Sequence, residues 1–341
     1  MLPPRWFRRV VMAPAVVLGT VLLLGALPLV LLAAGIASPL IPGRWRPLRV
    51  LWMVVLYLCL ESAALVVLFV LWVCSGFGAR LRSPRFERAH YDLAEWLLKF
   101  LFAECQRVLK VEVSVEGPEP SHFSGRPLLV FSRHAGPGDS FLMAHALLSW
   151  YDREPRIVLK DALQWDPLVD TLLSRLPNRF IRPGGEGRGT GPTAVEQITE
   201  LATGLDDDDA FLIFPEGGNY TDRRRARAIA RLREKGMIAE AEKAERMRHV
   251  LPPRPGGVGA ALDAAPGADV VWVAHSGLDH VVTVGDMWRA LPLDTQITMR
   301  WWQVPADEVP HGDEERSEWL YAWWTRIDEW VGEQREQRGD L

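Results

Sequence analysis

The chain has 341 residues, enough for one well-buried α/β domain with added elements and too few for several independent domains. Its formal charge of −4 is unevenly divided. Residues 1–110 carry thirteen Lys and Arg against five Asp and Glu, a net +8, and the remainder carries a net −12. A basic, apolar part joined to an acidic body fits an anionic membrane surface, and no basic face interleaved with aromatics, as nucleic acid would need, is evident. Cys59, Cys74 and Cys105 form no CxxC pair and read as small buried hydrophobes in a reducing compartment.

Residues 1–78 read as a membrane anchor of two apolar helices. The run from Val10 to Ala37 is uncharged and contains Pro14 and Pro28, and a second run from Leu48 to Val73 carries Arg49 at its start and is broken thereafter only by Glu61. Each exceeds the roughly 20 residues that span a bilayer core. The first is too long for the apolar part of a signal peptide and is followed at once by another. Arg5, Arg8 and Arg9 before the pair and Arg80, Arg82, Arg85 and Arg88 after it outnumber Arg44, Arg46 and Arg49 in the turn. Two full spans would therefore put both flanks, and the catalytic body, on the cytoplasmic side of the cell membrane. The basic turn and the prolines equally permit a hairpin lodged in one leaflet.

Residues 79–110 predict an amphipathic linker helix, with Leu93, Trp96, Leu97, Phe100, Leu101 and Val108 at helical spacing. It either lies on the bilayer interface or packs on the domain. Strand-like runs follow at 111–115, 128–132, 156–159, 179–181, 210–214, 270–274 and 297–303. Helical stretches fall at 140–150, 167–174, 193–203, 222–248 and 314–333. The alternation predicts an α/β fold over 111–304, a largely parallel sheet flanked by helices, with a C-terminal helical region over 305–341. Asp206–Asp209 reads as a solvated turn, and Arg223–Arg248 as a solvated helix face. Trp319, Trp323, Trp324 and Trp330 read as packing on the domain.

Two blocks carry chemistry. His134-Ala-Gly-Pro-Gly-Asp139 pairs a potential base with a carboxylate able to orient it, and Phe214-Pro-Glu-Gly217 is a turn-forming block after an apolar run. Both lie at the carboxyl ends of predicted strands, where sites of such sheets gather. The chain resembles the lysophospholipid acyltransferase family, in the branch of 1-acylglycerol-3-phosphate and lysocardiolipin acyltransferases. His134 and Asp139 fill its HxxxxD block. Val158-Leu-Lys160, Trp165-Asp-Pro167 and Phe180-Ile-Arg182 resemble its second block, and Phe214-Pro-Glu-Gly217 its third. Leu251-Pro-Pro-Arg254-Pro-Gly-Gly257 and the tail from Val309 to Asp328 are similar to later segments of that branch.

The resemblance implies a membrane-bound acyltransferase acting on a lysophospholipid hydroxyl, with acyl-CoA or acyl carrier protein as donor and no metal or redox cofactor. The favoured acceptor is 1-acyl-glycerol-3-phosphate, giving phosphatidic acid. His134 would be the general base and Asp139 its orienter. Arg182, Lys160, Glu216, Gly217 and Arg254 would bind substrate. Neither Ser132 nor Ser140 sits in a GxSxG elbow, so direct transfer is expected without a covalent intermediate. Two departures stand out: Arg133 precedes the histidine where the family often has another polar residue, and Gly217-Gly-Asn219 replaces Gly-Thr-Arg. The lost arginine opens the alternatives of another lysolipid or a glycolipid acceptor, with Arg223, Arg224 or Arg225 as substitute cations. A catalytically silent lipid-binding homologue and a thioester hydrolase are the rivals from other classes. His145, His275 and His280 lack metal-ligand spacing and read as structural or surface histidines.

Overall fold

The computed structural model describes residues 2–43, 45–119, 125–136, 138–181, 193–279, 285, 288–289, 291 and 293–339. The chain divides into two compact units: one of residues 1–111, 158–187 and 288–294, the other of 112–157, 188–287 and 295–341. Two of the divisions fall inside strands, between residues 111 and 112 and between 157 and 158.

The first unit opens with helix α1 (Arg5–Ala37), which contains a π-helical turn at Arg8–Met12, and continues with α2 (Arg46–Cys74). Both are long and apolar enough to cross a membrane. They clasp one another through polar atoms: Thr20 Oγ1 donates to the Leu58 carbonyl at 3.3 Å, and Ser62 Oγ donates to Thr20 Oγ1 at 2.9 Å. Many of their other side chains, Leu22, Leu29, Leu32 and Phe69 among them, remain exposed. The third helix, α3 (Pro84–Leu109), is the predicted linker helix, with Tyr91, Ala94, Leu97 and Val108 buried. The unit also holds α5 (Pro167–Leu173), the three-residue strand β4 (Arg179–Ile181) and the end of strand β3.

Polar contacts bind the apolar helices to the rest of this unit along their length. Arg8 Nη2 lies 2.8 Å from Asp170 Oδ1, a pair almost wholly removed from water. Arg9 Nη2 donates to Ser174 Oγ at 2.5 Å, Tyr57 donates to the Asp166 carboxylate, and Arg175 Nη1 donates to the Leu68 carbonyl at 2.8 Å. Nearer the helical turn, Arg46 donates to the Arg289 and Leu291 carbonyls and Trp52 Nε1 donates to Glu104.

The second unit is built on strands β1 (Val111–Glu116), β2 (Leu128–Ser132), β3 (Glu154–Lys160), β5 (Asp209–Ile213), β6 (Asp269–Ser276) and β7 (Thr295–Val304). Their order is β1-β7-β6-β2-β5-β3. β2 is parallel to both β5 and β6, β3 is parallel to β5, and β7 is antiparallel to β6. In the first unit the end of β3 pairs in parallel with β4. All seven strands coincide with the predicted runs to within two residues at each end. β2, β5 and β6 are buried at every position, as expected of central strands covered on both faces.

Around this sheet lie α4 (Asp139–His145, continued by a π-helical turn at Ala146–Trp150), α6 (Ala194–Ala202), α7 (Asp222–Glu234), α8 (Ile238–Arg246), α9 (Pro255–Ala264) and α10 (Asp313–Arg338). The C-terminal aromatics do pack inward: Trp272 of β6 meets Trp319, Trp323 and Trp324 at centroid distances of 5.1, 5.5 and 5.9 Å.

Three local readings need correction. The predicted helix over 222–248 is two helices, because Gly236 takes φ +76° and ends the first. Arg225 then donates to the Ala244, Glu245 and Met247 carbonyls, capping the second. The Pro-Gly-Gly stretch after Arg254 opens α9, with Pro255 at the first helical position where its missing N–H costs nothing. Asp209 is not solvated: it starts β5, is buried, and accepts from Arg156 Nε at 2.9 Å. Asp269 likewise starts β6 buried, accepting from Gln303 Nε2 at 2.9 Å and the Ala306 amide at 3.0 Å.

The buried Arg8–Asp170 pair gives a stability prediction. Removing one member of a buried pair strands the other charge, at a cost of about 3–5 kcal/mol. Arg8→Met should lower the thermal midpoint in detergent, and Arg8→Met/Asp170→Leu should recover most of the loss. A single variant as stable as the parent would show that the pair holds nothing.

Candidate active site

The carboxyl ends of β2 and β5, adjacent parallel strands, deliver the two motif blocks to one place. His134 follows β2 by two residues, and Phe214-Pro215-Glu216 follows β5 directly. The His134 ring lies against the Phe214 ring at a centroid distance of 4.5 Å. Its Nδ1 is 3.2 Å from Asp139 Oδ2, and both groups are buried.

Asp139 is the first residue of α4, so its charge also faces the helix N-terminus. The same Oδ2 accepts the amides of Ala135 at 2.5 Å and Gly136 at 2.8 Å, which curls the loop around the carboxylate. Burial alone would raise the Asp139 pKa, but His275, His134 and the Gly136 amide outweigh it and hold the group below the ordinary carboxylate range. An ionised Asp139 accepts from Nδ1–H, which leaves the lone pair of the ring on Nε2. Nε2 makes no hydrogen bond to any described residue. That is the arrangement of an oriented general base.

Glu216 ties the blocks together. It is 2% exposed, and its two oxygens accept the main-chain amides of His134 and Leu251, each at 3.0 Å. Burial pushes its pKa up to about 8, against the opposing pull of Arg133 and those amides. The His134 carbonyl in turn accepts the Tyr220 amide at 2.9 Å. The Leu251 segment is itself held by α10, where Asp328 accepts the amides of Arg248 and His249 at 2.9 and 2.5 Å. A hydroxyl contact to Glu216, as expected from the sequence, would have to share oxygens already engaged.

Gly217 has φ +67°, and a Cβ built there would stand 2.7 Å from Arg254 Cζ. The Arg254 guanidinium therefore lies directly on this glycine. Its backbone amide donates to the Pro215 carbonyl at 3.0 Å, while its exposed side chain makes no hydrogen bond or ion pair to a described residue. Of the substitute cations, Arg225 is committed to α8 carbonyls, and Arg224 Nη1 donates to the Asn219 carbonyl at 3.0 Å. Lys160, exposed at the end of β3, belongs to the other unit. Arg182 and the glycines after it lie outside the described residues, as does His280.

Two residues that the sequence reading left without a role sit at the core of the site. Arg133 is 1% exposed, pairs with Asp279, and donates to the His275 carbonyl at 2.7 Å and the His249 carbonyl at 3.0 Å. His275, read as structural, has Nε2 3.4 Å from Asp139 Oδ2. Its position on the strand beside β2 was the only available signal, and that required the strand order.

Residues 112–276 match the family model described as Acyltransferase. The chain carries an acyltransferase domain. The match runs from the second residue of β1 to the last residue of β6 and contains every site residue named above except Asp279 and Asp328. Among solved structures the chain is similar to the 1-acyl-sn-glycerophosphate (LPA) acyltransferase PlsC from Thermotoga maritima. That likeness has 17% identity and a TM-score of 0.46, covering 78% of this chain and 95% of that one. No curated protein matches at a significant level.

The opposite shifts in the acyltransferase site give a pH prediction. Glu216, raised in the fold, contributes stability in full below its ordinary value of 4.5 and loses it as pH rises through about 8. Asp139, depressed in the fold, does the reverse: its contribution is present above its ordinary 3.8 and is lost on acidification. Glu216→Gln should be less stable throughout, since an amide can accept only one of the two main-chain donors, yet should show a smaller fall in thermal midpoint between pH 5 and pH 8.5. An identical fall in parent and variant would exclude Glu216 as its source.

Proposed function

We propose that the protein transfers a fatty acyl group from an acyl thioester, acyl-CoA or acyl carrier protein, to the hydroxyl of a lysophospholipid. The leading reaction is 1-acyl-glycerol-3-phosphate to phosphatidic acid. The observation that carries the chemistry is the buried His134–Asp139 pair, whose Nε2 makes no hydrogen bond to a described residue. Nε2 takes the hydroxyl proton as the oxygen attacks the thioester carbonyl. Collapse of the tetrahedral intermediate breaks the C–S bond, and the thiolate leaves with the proton from the imidazolium. Every proton is accounted for without a metal or redox group.

Arg254 supports a phosphate-bearing acceptor. Its uncommitted guanidinium stands on Gly217, beside the turn that Glu216 links to the His134 amide, and a guanidinium binds a phosphate through two parallel N–H donors. It supplies at this turn the positive charge missing from position 219. Arg182 and Lys160 remain further candidates by their place in the sequence. A phosphate-free lysolipid or a glycolipid is the second reading, favoured by that same missing arginine.

We also propose that α1 and α2 embed in one leaflet of the cell membrane with the catalytic domain on the cytoplasmic side. A helix crossing the bilayer alone would present hydrocarbon-facing side chains on all sides. Here α2 meets polar groups of its own unit near its start, middle and end, through Arg46, Tyr57 and the Leu68 carbonyl. Single cysteines placed at Pro42 and Gly78 should therefore react with an impermeant thiol reagent from the same side; labelling from opposite faces of sealed vesicles would establish a crossing.

The function is tested with purified protein, labelled acyl-CoA and an acceptor panel. His134→Ala, shown to be folded, should lose on the order of 10²–10⁴-fold in kcat. Arg254→Ala should raise KM for the phosphate monoester acceptor about tenfold, the worth of one charge-assisted contact. Wild-type turnover by His134→Ala would end the general-base assignment, and preference for a phosphate-free acceptor would overturn the acceptor.

A further inference from the structure

We propose that His275 is a positioning residue for the acyl-transfer base, acting on His134 through Asp139 and through the main chain that carries His134. The inference deepens the proposed function and rests on it.

The geometry fixes what His275 does. Its Nε2 faces two groups that only accept: the Arg133 carbonyl at 3.0 Å and Asp139 Oδ2 at 3.4 Å. Nε2 must therefore carry the proton, because a lone pair there would face two oxygen lone pairs. Nδ1 is buried without a partner among the described residues, which a bare ring nitrogen tolerates better than an N–H would. The ring is 0% exposed, so neither contact is shared with solvent.

The contact to the Arg133 carbonyl is one half of an exchange. Arg133 Nη1 donates to the His275 carbonyl at 2.7 Å, while the His275 ring donates to the Arg133 carbonyl. Two side chains on adjacent strands thus each bind the other's backbone. The Arg133 amide also donates to the Val273 carbonyl at 3.0 Å. The peptide linking Arg133 to His134 is thereby fixed on the β6 side, as Glu216 fixes the His134 amide on the β5 side.

The contact to Asp139 is electrostatic. Asp139 Oδ2 serves His134 Nδ1, and the same atom lies within reach of the His275 donor. Sharing the negative charge between two imidazoles leaves less of it to stabilise the His134 imidazolium. The charged groups facing His275 are Asp139 at the start of α4, Arg133 from β2 and Asp279 after β6. Its cross-strand neighbour on β7, Met299, is uncharged.

His275→Phe keeps the ring volume and removes the donor. His275→Gln restores an N–H near the position of Nε2. The acid limb of the kcat/KM–pH profile should move upward by about one pH unit in His275→Phe and return toward the parent in His275→Gln. A mere packing role would lower stability in both without moving the limb. A folded His275→Phe with an unmoved limb overturns the proposal while His134→Ala remains inactive. An active His134→Ala would instead sink the general-base reading beneath it. Should His275→Phe fail to fold, nitrogen-15 spectra of the histidines in the unaltered protein decide: the proton of His275 is expected on Nε2, and finding it on Nδ1 overturns the inference.

Discussion

One oxygen atom organises this site. Asp139 Oδ2 takes the amides of Ala135 and Gly136 and the ring of His134, so the loop after β2 is wrapped around a buried charge. A carboxylate with several N–H donors stays ionised even when sealed from water. An ionised Asp139 in turn fixes the tautomer of His134. Tautomer, ring orientation and loop path all follow from engaging one oxygen of this anion.

A second carboxylate does for the neighbouring strand what Asp139 does for the first. Glu216 is engaged at both oxygens by main-chain amides, one from the histidine loop and one from the segment before α9. That segment depends on Asp328 of α10, and α10 is seated by tryptophans stacked over β6. The active loop is thus supported by residues far along the chain that never meet substrate. Arg254 is different: its side chain is exposed and makes no hydrogen bond or ion pair to a described residue, which suits a group kept for a ligand.

The sheet was legible because its central strands β2 and β5 are nearly continuous apolar runs, with β6 apolar from Val270 to Ala274. The His134–Asp139 pair was legible because five residues of loop can close on themselves. The other partnerships span the fold. His275 stands 136 residues from Asp139, and only the placement of β6 beside β2 brings them together. Arg133 looked like a departure from the family pattern until His275 and Asp279 were seen to receive it. The two-helix division of 222–248 turned on one glycine, which a periodicity argument passes over. Asp209 misled because a run of four acids looks solvated, although its last member has an arginine on the next strand.

That last aspartate and its counterpart Asp269 mark the opposite edge of the sheet from the chemistry. Each begins a buried strand, followed by apolar residues as far as Ile213 in β5 and Ala274 in β6, and each finds its donors in a single register. Shifting either strand by one residue would slide it about 3.3 Å and carry a charge toward the hydrocarbon interior. The same slip would pull Glu216 or His275 away from the histidine loop. Two acids at the far rim therefore act as alignment pins for Glu216 and His275, which follow them by seven and six residues.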